Sequence, residues 1–411
     1  MGEVSEHVGP GLLPQGTDLD DAVAWITDGS GVVGSGGWTV ELTGADRLRR
    51  MSAIWRQVSA GVPGLTCFVS SVFDDASATT SVLRIPAEIR SVGRGGGAAR
   101  TQYIDAERLC AAAAAHAPAT VADRVTPEPP NRGRLGREGY TSAVRSALEA
   151  ISRGRVSKVV LCRDEVVEAD EAARTAVLDR LALRFPTCWT FTIGGLVGAT
   201  PEMLAARRDG RVSSRVLAGS LPRGLRPDAE QHRRLTTESG FADEHAHAVR
   251  SVIDGLAGIV DLEDSCPEPF VLELPNIHHL ATDVRGRVRD SATSVLELTE
   301  AIHPTAAVAG VPRSAALDVL NQLEPHDRGR YAGPVGWMDS EGDGQIGLAL
   351  RCGRQEADGV RLYAGGGIVA GADPDAEYAE TVSKLAPMLR ALDPGTAPRS
   401  TPGSKPARYT T

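Results

Sequence analysis

The sequence predicts a mixed α/β fold, and three observations carry that prediction. Short runs with a two-residue hydrophobic period read as strands, RVSKVVLCRDEVV at 155–167 above all. Other segments repeat apolar residues at three- and four-residue spacing and read as helices, as Tyr140, Val144, Leu148 and Ile151 do. The composition, 42% hydrophobic and 24% charged over 411 residues, is that of a globular chain long enough for one large domain or two medium ones.

Residues 1–24 read as an N-terminal arm, 25–393 as the folded domain and the polar, proline-rich 394–411 as a disordered tail. Within the domain, GWTVELT at 37, LTCFVSSVF at 65 and TTSVLRIPAEI at 79 are strand-like, and GRGGGAAR at 93 interrupts them. The alanine-rich stretch 104–116 predicts a helix, and the prolines and glycines of 126–136 predict a linker or surface loop. The Tyr140 helix should end at Gly154 as its C-cap, and the strand bearing Lys158 follows. From there strands and helices are expected to alternate to Leu392, with no solenoid period.

Net charge −9 and a pI near 5.6 exclude a general nucleic-acid or anionic-membrane partner, because those call for a basic footprint. The six cysteines form no CxxC and no regular framework, which fits free thiols in a reducing compartment. MGEVSEHVGPGLL lacks a basic region followed by an apolar run, and no run of about 18 apolar residues occurs. A cytoplasmic protein, working as a monomer, is the expectation.

Several polar residues stand where apolar ones are expected. In the 155–167 strand, Lys158 shares a face with Val156, Val160 and Cys162, so it either snorkels from a strand end or is desolvated for a purpose. Arg351 sits in an otherwise apolar strand, after a hairpin whose turn is placed at Asp343 and Gly344. Glu202 directly follows a proline, and Gly219 with Ser220 ends a strand where backbone amides could approach a ligand. In the helix 242–260 an apolar stripe runs through Val249, Val252, Leu256 and Ile259 with Glu244 on its flank. His245 and His247 are two apart and share no face, which argues against zinc. A last helix is capped by Asp373 and begun by Pro374; Glu377, Glu380 and Lys384 lie on one flank, with Tyr378, Val382, Leu385 and Leu389 as its buried stripe.

Taken in order, SKVVLCR, GATPEML, LAGSLPRG, ADEHAHAV, LPNIHHLATDVRGRV, AIHPTAAVAGVPR, RGRYAGPVGW, LALRCG, LYAGGGIV and DPDAEYAETVSKL resemble the chorismate-utilising enzymes, and within them the isochorismate synthases. The likeness is close over 136–392 and looser over 25–115. It implies a single chorismate-binding domain of α/β class in which two large antiparallel β-sheets pack together with surrounding helices. It also implies an intramolecular hydroxyl transfer: addition of water at ring carbon 2 of chorismate with loss of the 4-hydroxyl. By the resemblance Lys158 is the general base and Glu202 the general acid. A lysine accepts a proton only when neutral and a glutamate gives one only when protonated, so each is expected to be buried in a way that favours its uncharged form. Arg351 and Tyr331 match carboxylate-holding positions, and Ala218, Gly219, Ser220, Gly366, Gly367 and Lys384 complete the implied substrate site. Glu244 and Glu380, with Glu377 through water, match ligands of Mg2+.

Lys158 together with Ala218 is the pairing of water-using members; ammonia-using relatives carry glutamine at the first position, and those forming a covalent adduct carry lysine at the second. AIHPTAAVAG and YAGPVGW favour isochorismate as product over salicylate, which needs a further elimination of pyruvate. A noncatalytic chorismate-binding relative is the remaining alternative, opposed by the joint presence of Lys158, Glu202, Glu244, Arg351 and Glu380. The chain also departs from the family: Gly240 and Phe241 replace a Lys-Asp or Lys-Glu pair, Gln345 an acid, His278 a glutamine and Ser220 a threonine.

Overall fold

Alternating residues of strand Val23–Thr27 are buried on both faces, Val23 and Trp25 in one apolar cluster, Ala24 and Ile26 in another. A strand covered on both sides requires a layer above and a layer below. A computed structural model of the chain, describing residues 12–13, 18–93, 99–117, 135–223, 227–275, 277–357 and 359–393, shows those layers. The described strands form two ten-stranded sheets in which every pairing is antiparallel. The first sheet runs from Gly310–Val311 through Lys158–Glu168, Gly359–Val369 and Cys352–Glu356 to Leu196–Thr200 and on to Arg100–Thr101. The second has Ile277–Val288, Arg211–Pro222, Met203–Arg208 and Gly344–Leu348 at its centre. Helices Glu171–Arg184 and Pro374–Leu392 cover the outer face of the first sheet through Val177, Leu181, Leu385 and Met388, which pack on Val197, Val360 and Leu362. The two-sheet α/β architecture implied by the family resemblance is present.

Local signals placed the helix ends well. Gly154 takes φ +70° just past helix Arg137–Ser152, where the Arg155 amide reaches back to the Ala150 carbonyl at 3.0 Å. Asp373 accepts the Ala376 amide at 2.8 Å, with Pro374 opening the helix.

Other expectations need correction. TTSVLRIPAEI is two strands, Ser81–Ile85 in the second sheet and Glu88–Val92 in the first, because Pro86 interrupts the ladder between them. The hairpin Val23–Thr27 with Ser30–Ser35 begins inside the segment read as an arm. Strict alternation fails over Trp189–Pro222 and Pro334–Val369, where four strands follow one another, and over Val260–Val288, where three do. The hairpin turn spans 340–343, with Gly342 at φ +79°, and Gly344 already belongs to the next strand. Helix Ser239–Leu256 ends before Ile259. Val382 is 45% exposed, and the buried side of the last helix runs instead through Thr381, Leu385, Met388 and Leu392. Residues 94–98 of the glycine run, 126–134 of the loop and the tail 394–411 lie outside the described residues.

Candidate active site

The site forms where the chain crosses from one sheet to the other. Strand Leu196–Thr200 lies in the first sheet and Met203–Arg208 in the second, so Pro201 and Glu202 make the crossing. Gly344–Leu348 and Cys352–Glu356 repeat the manoeuvre in the opposite direction, with Arg351 at φ +49° in the link rather than inside a strand. The crossings are tied together: the Leu348 amide donates to the Glu202 carbonyl at 3.1 Å, and the Ala199 amide to the Arg351 carbonyl at 3.2 Å. A cavity of about 490 Å³ opens beside them, a size suited to a small organic ligand.

Glu202 lines this cavity and is 4% exposed. Burial pushes its carboxyl up to about 8, against the opposing pull of the Leu217 amide, Lys158, Lys384 and Arg351. It is therefore a protonated acid at neutral pH. Tyr331 also lines the cavity, stacked on Tyr363 with ring centroids 5.1 Å apart, and burial keeps its phenol protonated.

The Ala218–Ser220 segment is shaped by a β-bulge. Strand Arg211–Pro222 pairs Leu217 with Ala281 and Ser220 with His279, so Ala218 and Gly219 together face Leu280; Gly219 takes φ +82°. His279, which sequence reasoning passed over, links the bulge to Arg351. Its Nε2 is 3.1 Å from Arg351 Nη2 and its Nδ1 is 2.9 Å from Ser220 Oγ. Arginine only donates, so Nε2 must accept and Nδ1–H must donate to Ser220. Burial and the charges of Arg351 and Lys384 hold this imidazole well below its ordinary value, which keeps it neutral. Arg351 Nη1 remains buried without a hydrogen-bond partner among the described residues, a donor left for a ligand.

Lys158 is 1% exposed, so it does not snorkel. Its Nζ lies 3.0 Å from Glu244 Oε1. Glu244 lines the cavity and Lys158 does not: the amine sits in the wall behind the carboxylate. Glu380 is paired with Lys384 Nζ at 2.5 Å, and Lys384 also donates to the Gly365 carbonyl at 2.8 Å. Glu377 is pushed up to about 8, first by burial and then by Glu380, with Lys384 opposing and Glu244 adding to the rise. Its Oε2 is buried without a hydrogen-bond partner among the described residues. No three His, Cys, Asp or Glu side chains among the described residues converge on a common ligation point; Glu244 and Glu380 are each paired with a lysine. The donor chemistry nevertheless fits a hard divalent cation: three neighbouring carboxylates, one with an orphaned buried oxygen.

Residues 99–393 match the family model described as chorismate binding enzyme. The chain belongs to the chorismate binding enzymes. It is 37% identical over 273 residues to the isochorismate synthase DhbC of Bacillus subtilis, covering 62% of this chain and 68% of that one. It is 36% identical over 284 residues to a putative isochorismate synthase MenF of Mycobacterium tuberculosis, covering 64% and 74%. The crystal structure of a putative 2,3-dihydroxybenzoate-specific isochorismate synthase, DhbC from Bacillus anthracis, superposes with TM-score 0.74 at 27% identity over 92% of this chain and 97% of that one.

In this chorismate binding enzyme, of the thirteen residues expected from the sequence, Glu202, Ala218, Gly219, Ser220, Tyr331, Arg351, Gly367, Lys384, Glu244, Glu377 and Glu380 line one cavity. Lys158 stands behind it, and Gly366 faces away: a Cβ there would meet Glu377 Oε2 at 2.9 Å and the Tyr140 hydroxyl at 3.0 Å. Gly367 faces inward, where a Cβ would lie 2.5 Å from Glu244 Oε1 and 3.1 Å from Lys158 Cε, so a side chain would clash with the ion pair. His245 is tied into the fold by both ring nitrogens. Its Nδ1 is 3.2 Å from the Ala218 carbonyl, its Nε2 is 2.6 Å from Thr282 Oγ1, and burial pushes it down to about 4. Two departures have structural employment: Gln345 accepts from Trp25 Nε1 at 2.8 Å, and His278 Nε2 lies 3.1 Å from Asp228 Oδ1. Phe241 lines the cavity beside Gly219, one turn before Glu244. Among the described residues no helix is long and apolar enough to cross a membrane.

Proposed function

We propose that this chain is an isochorismate synthase, adding water to ring carbon 2 of chorismate while the 4-hydroxyl departs. The observation that carries the reading is Glu202: a carboxyl kept protonated near neutral pH, in a cavity of the right size with a buried, half-unpartnered arginine across it. Expelling a hydroxyl needs a proton donor, and Glu202 is assigned that part; its proton leaves with the 4-hydroxyl as water. Lys158 is assigned the general base, taking a proton from the water whose oxygen bonds to carbon 2. One water enters and one leaves as the ring double bonds shift, so the overall reaction is an isomerisation.

Arg351, oriented by His279, and Tyr331 are assigned to a carboxylate of the substrate, a match of the planar guanidinium to a planar anion. The bulge at Ala218, Gly219 and Ser220 supplies backbone and hydroxyl donors, since the Ser220 Oγ accepts from His279 and keeps its own proton for a ligand. Gly367 keeps the space before the Lys158–Glu244 pair open, and Lys384 fixes both Glu380 and the Gly365 carbonyl. Mg2+, held by Glu244 and Glu380 with Glu377, would supply a positive charge to anchor and neutralise a ring carboxylate.

Incubation of the purified protein with chorismate and magnesium, followed by chromatography, tests this. Isochorismate should accumulate to an equilibrium mixture and should not form after chelation. Chorismate recovered unchanged in the presence of magnesium would overturn the assignment.

A further inference from the structure

We propose that the buried pair Glu324–Arg328 acts as a side-chain substitute for a missing edge strand and thereby positions Lys158. The proposal rests on the assignment of Lys158 as base. On its outer edge, strand Lys158–Glu168 is paired, among the described residues, only with Gly310–Val311, opposite Lys158 and Val159. The Ser157 amide donates to the Val311 carbonyl at 2.8 Å and the Val160 amide to the Ala309 carbonyl at 2.9 Å, and there the backbone partner ends. The next two edge groups are the Val160 carbonyl and the Cys162 amide. Left bare inside the protein they would be unsatisfied. Arg328 Nη2 donates to the Val160 carbonyl, and Glu324 Oε1 accepts from the Cys162 amide at 2.7 Å. Donor and acceptor thus stand in the order a continuing strand would present.

The pair is itself rigidly held. Arg328 Nε and Nη2 reach the two Glu324 oxygens at 2.8 and 2.6 Å, Nη1 donates to the Val308 carbonyl at 2.9 Å, and the guanidinium lies 4.3 Å from the Phe73 ring centroid. The side chains are 4% and 6% exposed. The Val308 bond ties the same arginine to the segment leading into Gly310–Val311, so both partners of the Lys158 strand are fixed from one point. Lys158 lies two residues before Val160 on the same face. Its alternative neighbour, the carboxylate of Glu244, is on another element, so the height of Lys158 in the wall is set by its own strand. A misplacement of about 1 Å at such a group can cost about 10²-fold in rate.

Glu324→Gln and Arg328→Lys test the idea, with circular dichroism and melting curves to establish folding. The expected result is a fall in kcat of at least about tenfold with KM within about threefold of wild type, since the substrate contacts are untouched. Amide exchange of the peptide covering 158–168 should accelerate in the same variants. A folded variant with kcat within about twofold of wild type overturns the positioning role even if its melting temperature drops. Unchanged exchange over 158–168 overturns the edge role. Should Arg328→Lys fail to fold, Glu324→Gln decides both points alone: equal in volume, it turns an NH2 toward one of the two Arg328 donors, so the Arg328 fork and the Cys162 acceptor cannot both be kept. Wild-type protein inactive on chorismate would overturn the functional assignment instead, and exchange would then decide whether the pair holds the strand.

Discussion

Glu202 carries a pH dependence that follows from where it sits. Its carboxyl, ordinarily at 4.5, is pushed up to about 8 by burial, so the folded chain keeps a proton that the unfolded chain loses between those values. The stability associated with that proton is fully present below 4.5 and is lost as pH rises through about 8. Glu202→Gln, which never ionises, should therefore melt higher than wild type at pH 8, by on the order of a few kcal/mol, with the difference vanishing near pH 4.5. Calorimetry at the two pH values checks it; a variant less stable at both would contradict the assignment of a buried, destabilising acid. The same variant should lose about 10²–10⁴-fold in turnover, and wild-type kcat should decline above about pH 8 as the donor ionises. Lys158→Gln should lose a comparable factor with the fold intact, because the amide retains length but accepts no proton at that pH; retention of more than half of wild-type turnover would remove Lys158 from the mechanism. Lys158 and Arg351 were legible because strand periodicity makes an out-of-place cation conspicuous. His279 was not, since a histidine beside another histidine in an apolar strand reads as packing until its two nitrogens are seen to join Ser220 and Arg351.

Helix Ser239–Leu256 brings Phe241 and Glu244 to the cavity on successive turns. Phe241 belongs to neither buried cluster, and its ring lies 3.5 Å from where a Gly219 Cβ would stand. Phe241→Asp should place an acid near Glu244 and lower the magnesium concentration for half-maximal activity; a magnesium titration with no leftward shift sinks the idea. Gly219→Ala should cost about 1 kcal/mol or more through its positive φ rather than through crowding, and should raise KM by disturbing the bulge. Thermal melts paired with steady-state kinetics separate those two effects. At this scale the helices were legible from caps and stripes, which depend on residues within a few positions of one another. Sheet switching was not. The pairs Ser81–Ile85 with Glu88–Val92, Leu196–Thr200 with Met203–Arg208, and Gly344–Leu348 with Cys352–Glu356 each look like one extended run, yet each divides between two sheets. Which sheet a strand joins is decided by partners outside the local run, often far away, as when Leu196 pairs with Arg354 and Ala205 with Ile346.

Across the whole molecule, paired crossings carry Glu202 and Arg351 to one cavity, and the first sheet's inner face carries Lys158 behind Glu244. Water addition and the later elimination of pyruvate would draw on the same acid, base and metal ligands, so the catalytic set does not separate isochorismate from salicylate as product. Two features bear on the choice of nucleophile. Ala218, at the bulge, offers only a methyl group, which leaves no side-chain amine there to form a covalent adduct. Lys158, assigned as the base and paired with Glu244, is an amine rather than an amide that could host ammonia. The chain should therefore convert chorismate reversibly to isochorismate between about pH 7 and 8, with little pyruvate released and no aminated product when ammonium is supplied. Chromatography of the mixture, run beside a lactate dehydrogenase assay for pyruvate, reads all three. Pyruvate in step with chorismate consumed, together with fluorescent salicylate from the protein alone, would assign elimination to the same cavity. An aminated product would show instead that neither Lys158 nor Ala218 governs the nucleophile.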